Sequence, residues 1–139
     1  MLNEGLESIG IGAFSETGIE SVTFPASLRR IRQGAFCGCE NLRTAKFSEG
    51  LEVLGTDEYG YEDMTNGVFE ESGLEDVRLP STLKMIEHSA FEGCENLRRV
   101  QLPDGLTYIG SRCFFRAGLT SVTITSNVVE IGYHAFYRN

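Results

Sequence analysis

Positive charge is what this chain has least of. Its 12 Lys and Arg stand against 20 Asp and Glu, a formal net charge of −8. Nucleic-acid binding needs a basic surface for the phosphates, so that class is excluded. Attraction to an anionic membrane face fails for the same reason. No stretch approaches the roughly 18 apolar residues of a membrane helix, so no membrane insertion is expected. Met1-Leu2-Asn3-Glu4-Gly5 lacks the basic start of a secretion signal. No Gly-x-Ser-x-Gly elbow occurs, and no Ser, His and Asp are grouped as a nucleophilic triad would need. Carboxylates are abundant, but no pattern suggests a buried pair with separated pKa values.

What the chain does have is repetition. Six phenylalanines recur in one context: Ala13-Phe14, Ala35-Phe36, Val68-Phe69, Ala90-Phe91, Cys113-Phe114 and Ala135-Phe136. Upstream of each lies an apolar pair three residues apart, such as Leu6/Ile9, Leu28/Ile31, Leu83/Ile86 and Leu106/Ile109. Downstream lies a second set, such as Ile19/Val22/Phe24, Leu42/Ala45/Phe47 and Leu97/Val100/Leu102. Anchored on the first Leu, successive units span 22, 23, 32, 23 and 22 residues. A fixed period in this range marks a leucine-rich solenoid, whose units bury their apolar faces only against each other. Residues 1–139 therefore read as one domain of five full repeats and a partial sixth. Both ends stop in register without a polar cap, so a fragment of a longer array is expected, with self-association through the uncapped ends as a consequence.

One repeat shows the local logic. Val100-Gln101-Leu102 alternates apolar and polar, as a half-buried strand does. Pro103 ends it, because proline cannot donate to a ladder; Pro25 and Pro80, the only other prolines, hold the same position. Leu83-x-x-Ile86 predicts a second short extended segment. Ala90 to Asn96 is too short for a full helix and suits one helical or 3₁₀ turn. Stacked coils about 4.8 Å apart then give two narrow parallel sheets around an apolar centre. In the shorter units Gly18, Gly73 and Gly118 are expected to supply a left-handed turn.

The full pattern, Leu-x-x-Ile-Gly-x-x-Ala-Phe-x-x-Cys-x-x-Leu-x-x-Val-x-Leu-Pro, resembles the BspA-type (Treponema pallidum-like) leucine-rich repeat. Ile109-Gly110, Ala90-Phe91, Cys94 and Leu102-Pro103 carry the likeness in order. The resemblance implies a curved non-enzymatic scaffold, of α/β-type coils with short parallel strands and short helical or 3₁₀ turns. Arrays of that family are common on bacterial surface proteins that bind host matrix proteins or other cells, and similar arrays occur in protists and algae in less defined roles. The family brings no catalytic residues and no cofactor. The chain departs from the pattern at Cys37, at Cys113 in the alanine position, and in the third repeat.

The register also disposes of several apparent motifs. Cys39 and Cys94 share a column two coils apart, about 10 Å, beyond disulfide reach. Cys113 replaces a core alanine and reads as an inert thiol. Cys37 is left as the one candidate reactive thiol. His88 and His134 fall in different columns, so no shared metal site is expected. Gly10-Ile11-Gly12 lacks the strand, turn and helix of a phosphate loop.

Three surfaces remain as candidate partner sites. The first is the outward column Thr23, Lys46, Arg78, Gln101 and Thr123, with Arg99 beside it, whose middle is basic despite the acidic whole. The second is an outward apolar stripe of Val53, Met85 and Tyr108; it reads either as an interaction patch or as local packing under the third repeat. The third is the extra segment near residues 56–65, nine residues longer than its siblings allow. Its Asp57, Tyr59 and Tyr61 either contact a basic partner or form a solvated excursion; its spacing does not match a calcium loop. Two roles follow: a protein-binding module at a cell surface, or a structural spacer or assembly subunit with no ligand of its own.

Overall fold

Stacking short strands at the repeat period produces a parallel solenoid, and a computed structural model of the chain describes residues 2–55 and 66–139. Each coil contributes a two-residue strand from its Leu-x-x-Ile segment: β1 (Ser8–Ile9), β3 (Arg30–Ile31), β5 (Val53–Leu54), β7 (Met85–Ile86), β9 (Tyr108–Ile109) and β10 (Glu130–Ile131). They form one continuous six-stranded sheet in the order β1-β3-β5-β7-β9-β10. All neighbours are parallel, and Ile9, Ile31, Leu54, Ile86, Ile109 and Ile131 align as one inward row.

The second side carries β2 (Ser21–Thr23), β4 (Thr44–Lys46), β6 (Asp76–Arg78) and β8 (Arg99–Gln101). The expected single sheet is here two pairs, β2-β4 and β6-β8. Between β4 and β6 the coils are joined by Gly73 N–H to Cys39 O at 3.2 Å and Glu75 N–H to Arg43 O at 3.4 Å, and no ladder continues beyond. A further correction concerns the fifth coil, where Ser121 to Thr125 forms no strand and Ile124 is 39% exposed.

The third side holds the aromatic spine. Phe14, Phe36, Phe69, Phe91, Phe114 and Phe136 stack with centroids 5.1, 5.3, 5.5, 5.2 and 5.3 Å apart. Phe36, Phe69, Phe91 and Phe114 are fully buried; Phe14 and Phe136, in the outermost coils, are partly so. No helix forms on this side among the described residues. Alternate N–H groups point two ways instead. Phe36 and Gly38 donate across to Val68 O and Glu70 O of the next coil, both at 2.8 Å, while Cys37 turns back to Gly34 O at 3.0 Å.

That alternation goes with a left-handed residue two before and two after the spine Phe in every coil but that of Phe69, where Gly67 has no positive φ. Gly34 (φ 62°) and Gly38 (φ 68°) supply it beside Phe36. Elsewhere Arg112 (φ 56°) and Arg116 (φ 53°) do so at roughly 1–2 kcal/mol each. The left-handed positions are thus not those expected: of Gly18, Gly73 and Gly118, only Gly118 has a positive φ. Gly73 serves close approach, since a Cβ there would lie 2.2 Å from Glu40 O.

Candidate interaction face

The face carried by β4, β6 and β8 is exposed for a simple reason. Ala45, Val77 and Val100 point inward and are buried, so their neighbours must point out. Lys46, Arg78 and Gln101 are exposed, as are Thr44, Asp76 and Arg99 one row over. Register sets Arg78 beside Gln101 and Asp76 beside Arg99. Together they border an open groove of about 940 Å³, which Phe47, Leu79 and Val122 also line.

Charge in this groove is unevenly committed. Arg99 Nε lies 3.3 Å from Asp76 Oδ1. Glu49 accepts from Ser81 Oγ at 2.8 Å and from the Ser81 and Thr82 N–H groups at 3.3 Å, which lowers its carboxyl pKa, the Ser81 hydroxyl most of all. Among the described residues, no ion pair engages Lys46 or Arg78. Surface pairs such as Arg99–Asp76 are worth little in stability; here they decide which charges stay available.

On the opposite sheet Val53, Met85 and Tyr108 are register partners in one column. All three are half-buried rather than open, and burial, then Glu87 and Glu130, raises the Tyr108 pKa. Asp57, Tyr59 and Tyr61 lie outside the described residues. Sequence reasoning missed a further cluster on the turn side. Tyr133 stacks on His134 at 3.7 Å, His134 on Tyr137 at 4.6 Å, and Tyr137 on Phe115 at 5.7 Å. Arg112 caps that row 4.6 Å above Phe115 and also pairs with Glu92. Its signal was the spacing of three between Arg112 and Phe115 and between His134 and Tyr137, repeated one coil apart.

All four cysteines are free. Cys39 and Cys94 donate their thiols to Phe14 O and Phe69 O of the preceding coil, each at 3.0 Å, and Asn139 Nδ2 makes the same contact to Phe114 O. The expectation that Cys37 is reactive needs correction. Its thiol is half-buried, and burial first, then Glu70 and Glu71, pushes its pKa from 9.0 up to about 11. The protonated thiol is a poor nucleophile. At pH 8 iodoacetamide should label the folded chain about tenfold or more slower than the denatured chain. The folded-state rate should keep climbing up to about pH 11, where that of the denatured chain has already levelled off. Equal rates in the two states would refute this.

Comparison with known proteins adds the decisive observation. The sequence matches the family described as BspA type Leucine rich repeat region, in six copies, over residues 1–61 and 62–139. The chain belongs to this BspA-type leucine-rich repeat family. Among curated proteins none matches it in sequence. Its fold is shared with a leucine-rich repeat protein from Bacteroides ovatus at 26% identity and a TM-score of 0.76, covering 91% of this chain and 31% of that one. A leucine-rich repeat protein from Eubacterium ventriosum follows at 20% identity and 0.74, covering 91% and 32%. The pneumococcal vaccine antigen PcpA shares the fold at 22% identity and 0.65, covering 88% and 36%. The BspA-type chain thus spans about a third of the length of these structures. BspA-type repeats of this kind are scaffolds, and no helix among the described residues is long and apolar enough to cross a membrane.

Proposed function

We propose that this BspA-type array is a non-enzymatic protein-binding module of a cell-surface or extracellular protein, and that it engages its partner through the groove over β4, β6 and β8. The observation that carries this reading is the groove itself. It presents a regular row of exposed polar side chains on a rigid scaffold, over an open depression of about 940 Å³. Rigid, preorganised surfaces lose least entropy on binding. The kinship in fold with a vaccine antigen supports an outward-facing location.

The test is a panel of purified matrix glycoproteins passed over the immobilised chain. At least one should bind, and Gln101→Trp, which fills the groove, should weaken it by about tenfold while Val53→Ala on the other sheet leaves it intact. Binding indifferent to Gln101→Trp would remove the groove from this reading.

A further inference from the structure

The partner's chemistry follows from the groove's charge accounting, and the argument rests on the groove being the binding face. In a chain of net charge −8 the bland expectation is an acidic groove. The opposite is found. Lys46, Arg78 and Arg99 outnumber the two acids that line the groove, Asp76, which is paired with Arg99, and Glu49, which stays charged but is held by hydrogen bonds against the Ser81–Thr82 turn. Among the described residues Lys46 and Arg78 have no carboxylate partner, although they are exposed and follow one another along the outward column. Like charges on adjacent strands repel. Nothing in the fold requires them, since both lie on the solvent side of strands whose inward residues are buried. They also flank the interruption of the ladder between β4 and β6.

We propose that the Lys46–Arg78 pair is a subsite for two carboxylates of an extended acidic peptide segment, lying across β4, β6 and β8. Gln101, next in the column, offers that segment both a donor and an acceptor. Arg78 can take a carboxylate in two parallel hydrogen bonds, while Lys46 acts as a point charge on a flexible stem. A peptide suits this site better than a polyphosphate or sulfated chain. Two free cations satisfy a few spaced carboxylates, whereas a continuous polyanion would meet the chain's net negative field. That field also makes recognition selective, because only a ligand seated at the groove centre gains from the pair.

The test titrates a fluorescein-labelled peptide of alternating Glu and Ser into the chain, following anisotropy at about 50 mM and about 300 mM salt. Counterparts carry Gln or Lys in place of Glu, and a heparin oligosaccharide is the polyanion control. The Glu peptide should bind about tenfold tighter than the Gln peptide, as two surface pairs allow, and the margin should shrink at high salt. Lys46→Glu with Arg78→Glu should remove that preference and transfer it to the Lys peptide; both positions are exposed, so the thermal midpoint should not move. Equal binding of the Glu and Gln peptides, lost on Gln101→Trp, would overturn the acidic chemistry and leave the groove reading standing. Binding of neither peptide, tighter heparin binding, or a Glu preference untouched by the double reversal would each overturn the proposal.

Discussion

Phe91→Ala is expected to cost about 3–5 kcal/mol and to break the folding transition in two. Phe91 is fully buried and stacks on both sides, at 5.5 Å on Phe69 and 5.2 Å on Phe114. The truncation leaves a void that neighbours cannot fill, because the backbone behind each spine ring is bonded to the next coil. Phe91 N–H donates to Cys113 O at 2.8 Å, and Phe69 N–H donates to Ala90 O at 2.8 Å. In a solenoid stability is a sum over repeats and nearest-neighbour interfaces. A weak interface in the middle therefore uncouples the halves. Guanidinium titration by circular dichroism should show a broadened or biphasic curve in place of one step. Phe14→Ala is the comparison: Phe14 is partly buried and stacks along the spine on Phe36 alone. It should lower the midpoint less and keep one transition. An unchanged single midpoint for Phe91→Ala would mean the spine does not couple the coils.

The spine and both apolar rows were legible because burial leaves a periodic trace. Ile31, Leu54, Ile86 and Ile109 are spaced by the repeat and all sit at 0% exposure. The third side was not legible as what it is. A helical turn and an alternating left-handed backbone both need a short, glycine-tolerant stretch, and Arg112 or Glu71 at a positive φ carries no mark in composition. The hydrogen bonds that Cys39 and Cys94 donate to the preceding coil were hidden for a similar reason. A buried cysteine reads as a small apolar residue, and only the hydrogen bond to the preceding coil shows why Asn139 stands in the same column.

The candidate surfaces were legible in position more than in state. Strand alternation placed Lys46, Arg78 and Gln101 outward without error. It said nothing of whether each charge is spent. Arg99 and Arg78 look alike in sequence, yet one is paired with Asp76 and the other is not. Pairing depends on the neighbouring coil, about twenty residues away, and on rotamers that a repeat pattern does not record. The break between β4 and β6 was equally hidden, since Ala45 and Val77 obey the strand pattern as well as their siblings.

Gly110→Ala should destabilise the chain by about 3 kcal/mol, whereas Gly10→Ala, at the same position of the repeat, should be close to neutral. Neither glycine has a positive φ, so backbone strain does not enter. The difference is what lies beside them. A Cβ on Gly110 would meet Glu87 C at 2.5 Å and His88 N at 2.6 Å, backbone atoms of the preceding coil that cannot swing aside. Relief means parting the two coils, at the expense of the bond from Gly110 N–H to Ile86 O at 2.7 Å. Gly10 sits in the first coil with nothing within 4 Å of such a Cβ. Alanine there adds no clash and restricts the unfolded chain, a gain of about 0.4–1 kcal/mol at most. Thermal denaturation of both variants separates the readings. A loss of roughly 10 °C for Gly110→Ala beside no loss for Gly10→Ala is expected from the contact distances. Equal losses would mean that glycine is required there for its own conformation and not for the approach of the coil below it.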